Sequence, residues 1–75
     1  MKTTANPVVA IKVAKLGHVE IASVLEGTDM AVYGTVAQFV AENGEYMTDD
    51  CWRTLLRIAS GRYTGGEVGP FQVWR

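Results

Sequence analysis

Two side chains in this 75-residue sequence could form a nucleophilic pair: the single cysteine, Cys51, and the single histidine, His18. Nucleophilic catalysis requires such a thiol to lie within hydrogen-bonding distance of its base. Cys51 falls in the first turn of a predicted helix and His18 in a predicted turn, where a buried thiol and an ordinary turn histidine are the simpler interpretations. No catalytic residue is therefore assigned.

Carboxylates and glycines give no stronger indication of chemistry. Asp49 and Asp50 are adjacent, but neighbours on a helix point about 100° apart and do not act as one unit. The loop at Gly65-Gly66 lacks the lysine and the following helix of a phosphate-binding loop. One cysteine and one histidine also fall short of the four ligands of a structural zinc site. We expect no enzyme activity, no metal and no cofactor.

Charge is unevenly distributed along the chain. Residues 18–50 contain seven acidic side chains and no lysine or arginine, although the formal net charge is only −1. Four of these acids fall around the turn between two predicted helices: Glu42, Glu45, Asp49 and Asp50. Such a cluster would attract a basic surface and speed the encounter with it. The simpler interpretation is that the basic ends of the chain neutralise these acids in the fold.

The first predicted helix begins at Thr35. Thr35 and Gln38 occupy the two positions of a capping box, and the following apolar stripe consists of Val36, Phe39 and Val40. Asn43-Gly44 then predicts a stop in the left-handed conformation.

The second predicted helix begins at Thr48 and ends at Ser60-Gly61. Thr48 is a good N-cap, and aspartates in the first turn are favoured by the helix dipole. Met47 and Trp52 occupy the positions of a hydrophobic staple. The apolar face consists of Trp52, Leu55, Leu56, Ile58 and Ala59. Asp49 is spaced to pair with Arg53.

Alternating apolar residues predict strands elsewhere. Residues 8–16 and 19–26 flank Gly17-His18 and indicate a β-hairpin, although 19–26 could also form a short helix. Residues 30–33 are either a third strand or a first helical turn, and residues 71–74 are a final strand. The expected fold is a single α+β domain: a β-hairpin, two short helices and a C-terminal strand, with residues 1–6 frayed.

Composition bears on assembly and location. So short a chain has a marginal core, and without a disulfide or a metal it usually needs a partner chain. With a hydrophobic content of 48%, this favours a homodimer or an obligate partner. No signal-peptide pattern is present, and the longest apolar stretch is far below the roughly 20 residues that span a bilayer. We expect a cytoplasmic protein that does not enter membranes.

The favoured function is a non-catalytic protein-binding module, an inhibitor or adaptor whose acidic residues contact a basic, nucleic-acid-handling partner. Small proteins with an acidic surface and no enzyme activity are typical of phage and mobile-element accessory proteins. The aromatic residues Tyr63 and Trp74, of kinds that anchor interfaces, are the second choice of contact.

The sequence is also compatible with two other functions. Two helices followed by a β-wing would resemble the outline of a winged-helix DNA-binding regulator, with Arg53, Arg57 and Arg62 on the DNA. Aspartates at the start of the second helix would repel the phosphates that supply most affinity, so direct nucleic-acid binding is less favoured. The other alternative is a self-assembling structural subunit that pairs through edge strands.

Overall fold

The protein is described by a computed structural model that covers residues 6–75. In this range it forms three α-helices, a 3₁₀ turn and four strands. The helices are α1 Pro7–Lys15, α2 Val36–Asn43 and α3 Asp49–Ala59, with the 3₁₀ turn at Gly44–Tyr46. The strands are β1 Glu20–Leu25, β2 Val32–Thr35, β3 Gly65–Val68 and β4 Phe71–Trp74. The predicted α+β class is confirmed.

The four strands form one antiparallel sheet in the order β2-β1-β4-β3. β1 lies in the interior of the sheet, with β2 on one side and β4 on the other. Side chains alternate between the two faces, so that Ile21 and Val73 point into the core while Tyr33 and Trp74 lie on the opposite face. The helices cover only the first face, and the domain therefore has two layers.

The core lies between that face and the helices. Its fully buried side chains come from every layer: Val13, Val36, Leu55, Ile58, Val68 and Val73. Phe39, Met47 and Trp52 complete the cluster with less than a tenth of each residue exposed. The apolar faces predicted for α2 and α3 are confirmed, because both stripes are in contact with this core.

The first strand of the predicted hairpin is wrong, because residues 7–15 form α1. Asn6 caps this helix by accepting a hydrogen bond from the Val8 N–H at 2.8 Å, and Pro7 occupies the first helical position, which suits it. The apolar residues fit helical as well as alternating spacing, and Val13 is buried while Ile11 is 58% exposed. Of the segment expected to be frayed, residues 1–5 lie outside the described range.

The sheet contains two other departures from the predicted pattern. Residues 32–35 form β2, which resolves the ambiguous segment as a strand and makes it the neighbour of β1. Residues 65–68 form β3, where a flexible loop was expected. Gly65 is required there, because a Cβ at this position would lie 2.9 Å from the Val73 carbonyl oxygen.

Local capping signals are confirmed at both predicted helix starts. Gln38 donates its backbone N–H to the Thr35 hydroxyl and accepts the Thr35 N–H at 2.8 Å, which completes the capping box. The Thr48 hydroxyl accepts the Cys51 N–H. The left-handed stop at Gly44 is wrong, since its φ is −60° and the chain continues into the 3₁₀ turn. Gly61, by contrast, has φ of 88° at the end of α3.

Candidate functional site

A surface groove runs along α2, on the helix-covered face of the sheet. Its centre is the ring pair Phe39 and Phe71, which meet edge to face with centroids 5.2 Å apart. Because α2 follows β2 directly and β4 lies on the far side of β1, the fold brings together two rings that are distant in sequence. Phe39 is buried and Phe71 is half-buried, so the two rings form the floor of the groove.

Two adjoining depressions make up this α2 groove, and both are lined by Phe39, Asn43 and Phe71. The larger, of about 190 Å³, opens towards β1 and β2. Its other lining residues are Ile21, Ser23, Val32, Tyr33, Gly34, Thr35, Gln38 and Glu42. The smaller, of about 110 Å³, extends from the end of α2 to the turn between β3 and β4. Its other lining residues are Tyr46, Met47, Cys51, Val68, Gly69 and Pro70.

Large apolar side chains are exposed at both ends of the groove. Val32 is 62% exposed at one end and Tyr46 is 77% exposed at the other, whereas the Tyr33 side chain lies on the open face of the sheet. Single exposed apolar residues are common on protein surfaces, and Val32 and Tyr46 are of interest because each lines one of the two depressions. Val32 and Tyr46 were not predicted as contact residues, because no local pattern distinguishes them from ordinary strand and turn residues.

One predicted contact residue lines this groove, and a second is next to a lining residue in the sequence. Glu42 lines the larger depression, and Glu45 immediately precedes Tyr46 in the 3₁₀ turn. Both carboxylates are exposed, and neither forms an ion pair with any of residues 6–75. The groove therefore combines an apolar floor with negative charge at its edge.

The two aspartates of the predicted cluster bind other residues of the same domain. The Asp49 carboxylate accepts the backbone N–H of Asn6 at 2.9 Å, which links the starts of α1 and α3. Asp50 pairs with Arg53 at 3.7 Å, so the predicted pairing of Arg53 with Asp49 is wrong by one residue. That pair is exposed, and surface pairs of this kind contribute about 0–1 kcal/mol at most.

The predicted aromatic contacts lie away from the groove. Tyr63 stacks with Arg57, whose guanidinium carbon is 5.7 Å from the ring centroid. Trp74 lies on the open face of the sheet, where it is half-buried beside Ala22 and opposite Gly65. Neither Tyr63 nor Trp74 lines either depression of the groove.

The three arginines assigned to the DNA-binding alternative differ in their surroundings. Arg53 is paired with Asp50, Arg57 stacks on Tyr63, and Arg62 is exposed just after α3. The β3–β4 hairpin that would form the wing is part of the main sheet, because β4 pairs with β1. The expected geometry of a projecting wing is therefore absent from residues 62–74.

The two candidates for a nucleophilic pair occupy different environments. Cys51 is buried at the start of α3, where the Thr48 hydroxyl donates to its sulfur at 3.3 Å. His18 is exposed in the turn before β1. Within residues 6–75, no group of three or more His, Cys, Asp or Glu side chains is placed to bind a metal ion. The helices of the same range include none long and apolar enough to cross a membrane.

The fold and groove together define a two-layer α+β domain with a surface groove that has a pair of phenylalanine rings at its centre and a carboxylate at its edge. Comparison of the chain with models of known protein families, with curated proteins and with solved structures finds no match.

Proposed function

We propose that this protein is a non-catalytic binding module whose α2 groove receives an amphipathic, basic segment of a partner protein. The observation that carries the proposal is the position of Glu42 in the depression lined by Phe39 and Phe71, with the exposed Glu45 next to Tyr46 in the 3₁₀ turn. Apolar side chains of the partner would enter the two depressions, and its lysines or arginines would lie over the carboxylates. An amphipathic helix is the segment that most often binds a groove in this way.

The chemistry of this groove favours an inhibitor or adaptor acting on a basic partner. Proteins that handle nucleic acids carry basic surfaces to hold phosphates. A groove that binds the apolar and basic residues of such a surface would compete with nucleic acid for it. The exposed acids would speed the encounter, and the apolar floor would slow dissociation.

A binding experiment with a designed probe tests the groove directly. The probe is a synthetic helical peptide with leucine and lysine on one face, titrated into ¹⁵N-labelled protein and followed by amide chemical shifts and by calorimetry. We expect the largest shifts at groove residues such as Phe39, Asn43 and Phe71. The double substitution Glu42→Lys with Glu45→Lys should weaken binding about tenfold, since two attractions become repulsions.

The chain offers a matched control for this substitution. Glu26 and Asp29 are also exposed acids, but they lie near the β1–β2 connection and line neither depression. Glu26→Lys with Asp29→Lys changes the net charge by the same amount and should leave the affinity within about twofold. Equal loss in both variants, or shifts confined to the open sheet face, would contradict a groove-specific site.

The identity of the partner requires capture from the host. Lysate proteins that bind the wild-type protein and the control variant, but not the groove variant, should be basic nucleic-acid-binding proteins when identified by mass spectrometry. If captured proteins are acidic, or if both variants retain the same set, then the proposed partner class is wrong.

A further inference from the structure

α1 carries an exposed surface that the proposed function does not use. Val8 and Ile11 are both 58% exposed, and Lys12 and Lys15 are exposed beside them. At about 100° per residue these four side chains lie within an arc of about 100° on the helix. We call this surface the α1 stripe. The opposite side of α1 is anchored in the core through Val13, so the stripe faces away from the domain.

The α1 stripe has the properties that the α2 groove is suited to receive. Val8 and Ile11 are three residues apart on a helix, which places their Cβ atoms about 5–6 Å apart. The groove offers two adjoining depressions that share the lining residues Phe39, Asn43 and Phe71. One aliphatic side chain in each depression would bury both residues.

Charge complementarity supports the same arrangement. The stripe carries two lysines and no acidic residue, and the edge of the groove carries Glu42 and Glu45 without a cation. An exposed pair contributes little alone, but two such pairs beside an apolar contact favour one orientation of the two surfaces.

We propose that the α1 stripe of one copy binds the α2 groove of a second copy, so that the protein assembles head to tail. This inference rests on the proposed function, because it uses the same groove. A two-fold dimer would satisfy both surfaces only if the stripe and groove of one copy faced the groove and stripe of the other at the same time. Where the contact is made one way only, repetition gives a ring or an open chain, and a competing basic partner would dissolve the assembly by occupying the groove.

Pairing of edge strands is the competing mode of self-association. The outer edge of β2 is short, with four residues, and the Gln38 side chain already accepts the Thr35 N–H there at 2.8 Å. Little of that edge is left to pair with another chain. The stripe and groove therefore provide a better-supported contact than the β2 edge. Pairing through the other edge strand, β3, would leave the assembly of Ile11→Gln unchanged, so the variants below distinguish it.

Two variants that each lose one surface provide the decisive test. Ile11→Gln removes an apolar side chain from the stripe and keeps a residue of good helix propensity. Glu42→Lys with Glu45→Lys reverses the charge at the edge of the groove and leaves the stripe intact. Light scattering after size exclusion, at protein concentrations up to about 1 mM, measures the mass of each protein and of their mixture.

We expect the mass of the wild-type protein to rise with concentration and to return to the monomer value of 8.2 kDa at high salt. Each variant alone should remain a monomer. An equimolar mixture should form a dimer and nothing larger, because only one functional stripe and one functional groove are available per pair. The variant Glu26→Lys with Asp29→Lys should assemble as the wild type does.

Several outcomes would overturn the inference. The stripe–groove contact would be excluded if the wild-type protein stayed monomeric at all concentrations. It would also be excluded if Ile11→Gln assembled as the wild type does, or if the mixture formed no dimer. Titration with the leucine–lysine peptide shows whether self-assembly alone is wrong or whether the proposed function is wrong as well. If the peptide binds the groove while the wild type stays monomeric, then only self-assembly is wrong, whereas absence of peptide binding contradicts the proposed function itself.

Discussion

Trp52 shows how a single residue can stabilise this fold while leaving a polar group unsatisfied. It is 8% exposed, beside Met47 at 4%, and a Cβ at Gly44 would lie 3.8 Å from its ring. Its indole Nε1 is buried and has no hydrogen-bond partner among residues 6–75. An unsatisfied buried donor costs about 1–3 kcal/mol, so the stabilisation comes from the area of the ring.

Substitutions at Trp52 should therefore have unequal costs. Trp52→Ala should lower the free energy of unfolding by about 3–5 kcal/mol, enough to unfold much of so small a domain. Trp52→Phe should cost less than about 1.5 kcal/mol, because it keeps a ring and removes the unsatisfied N–H. Urea denaturation followed by circular dichroism measures both. A stable Trp52→Ala would show that this face of α3 is not in the core.

Capping explains why α1 is a helix despite its valines and isoleucine. The Asn6 side chain accepts the Val8 N–H, Pro7 fits the first turn, and Lys12 and Lys15 suit the negative end of the helix dipole. Asn6 also donates its own N–H to Asp49, which fixes the start of α1 against the start of α3. One residue thus begins one helix and positions it on another.

The cap at Asn6 can be tested by two substitutions that keep its backbone N–H. Asn6→Ala should lower the free energy of unfolding by about 0.5–2 kcal/mol, whereas Asn6→Gly should cost only a few tenths. Amide hydrogen exchange should show the loss of protection mainly in α1. Equal effects of alanine and glycine would mean that the side-chain cap does not stabilise the helix.

Acidic and basic side chains are concentrated in different parts of the molecule, although the net charge is only −1. α1 carries exposed lysines and no acid, whereas β1, the β1–β2 connection and α2 carry exposed acids and no lysine or arginine; α3 carries two of each sign. The only ion pair within residues 6–75 is the exposed one between Arg53 and Asp50. Charge should therefore affect binding much more than it affects folding.

Salt should separate these two effects. Between about 0.01 M and about 1 M salt the Debye length falls from about 30 Å to about 3 Å. The association rate of the leucine–lysine peptide should fall steeply over this range, while electrostatics changes the stability little. Stopped-flow fluorescence with labelled peptide measures the rate, and denaturation in urea at each salt concentration measures stability. An association rate that does not depend on salt would contradict steering by the exposed acids.

The sequence alone determined the features whose causes are local. The capping box of Thr35 and Gln38 and the cap at Thr48 are bonds between residues three apart, so α2 and α3 could be predicted with their buried faces. The strand β4 and the concentration of acids in residues 18–50 were also evident. Each of these depends on a short segment and is the same in any surrounding fold.

Only the tertiary structure decided the rest, because it depends on contacts between distant segments. Residues 8–16 suit a strand or a helix by periodicity, but β2 and β4 occupy both sides of β1 and leave no neighbouring place for a further strand. The same pairing makes a strand of the glycines at 65–66 and brings Phe71 against Phe39. The groove exists because these segments meet, and no short stretch of sequence encodes their meeting.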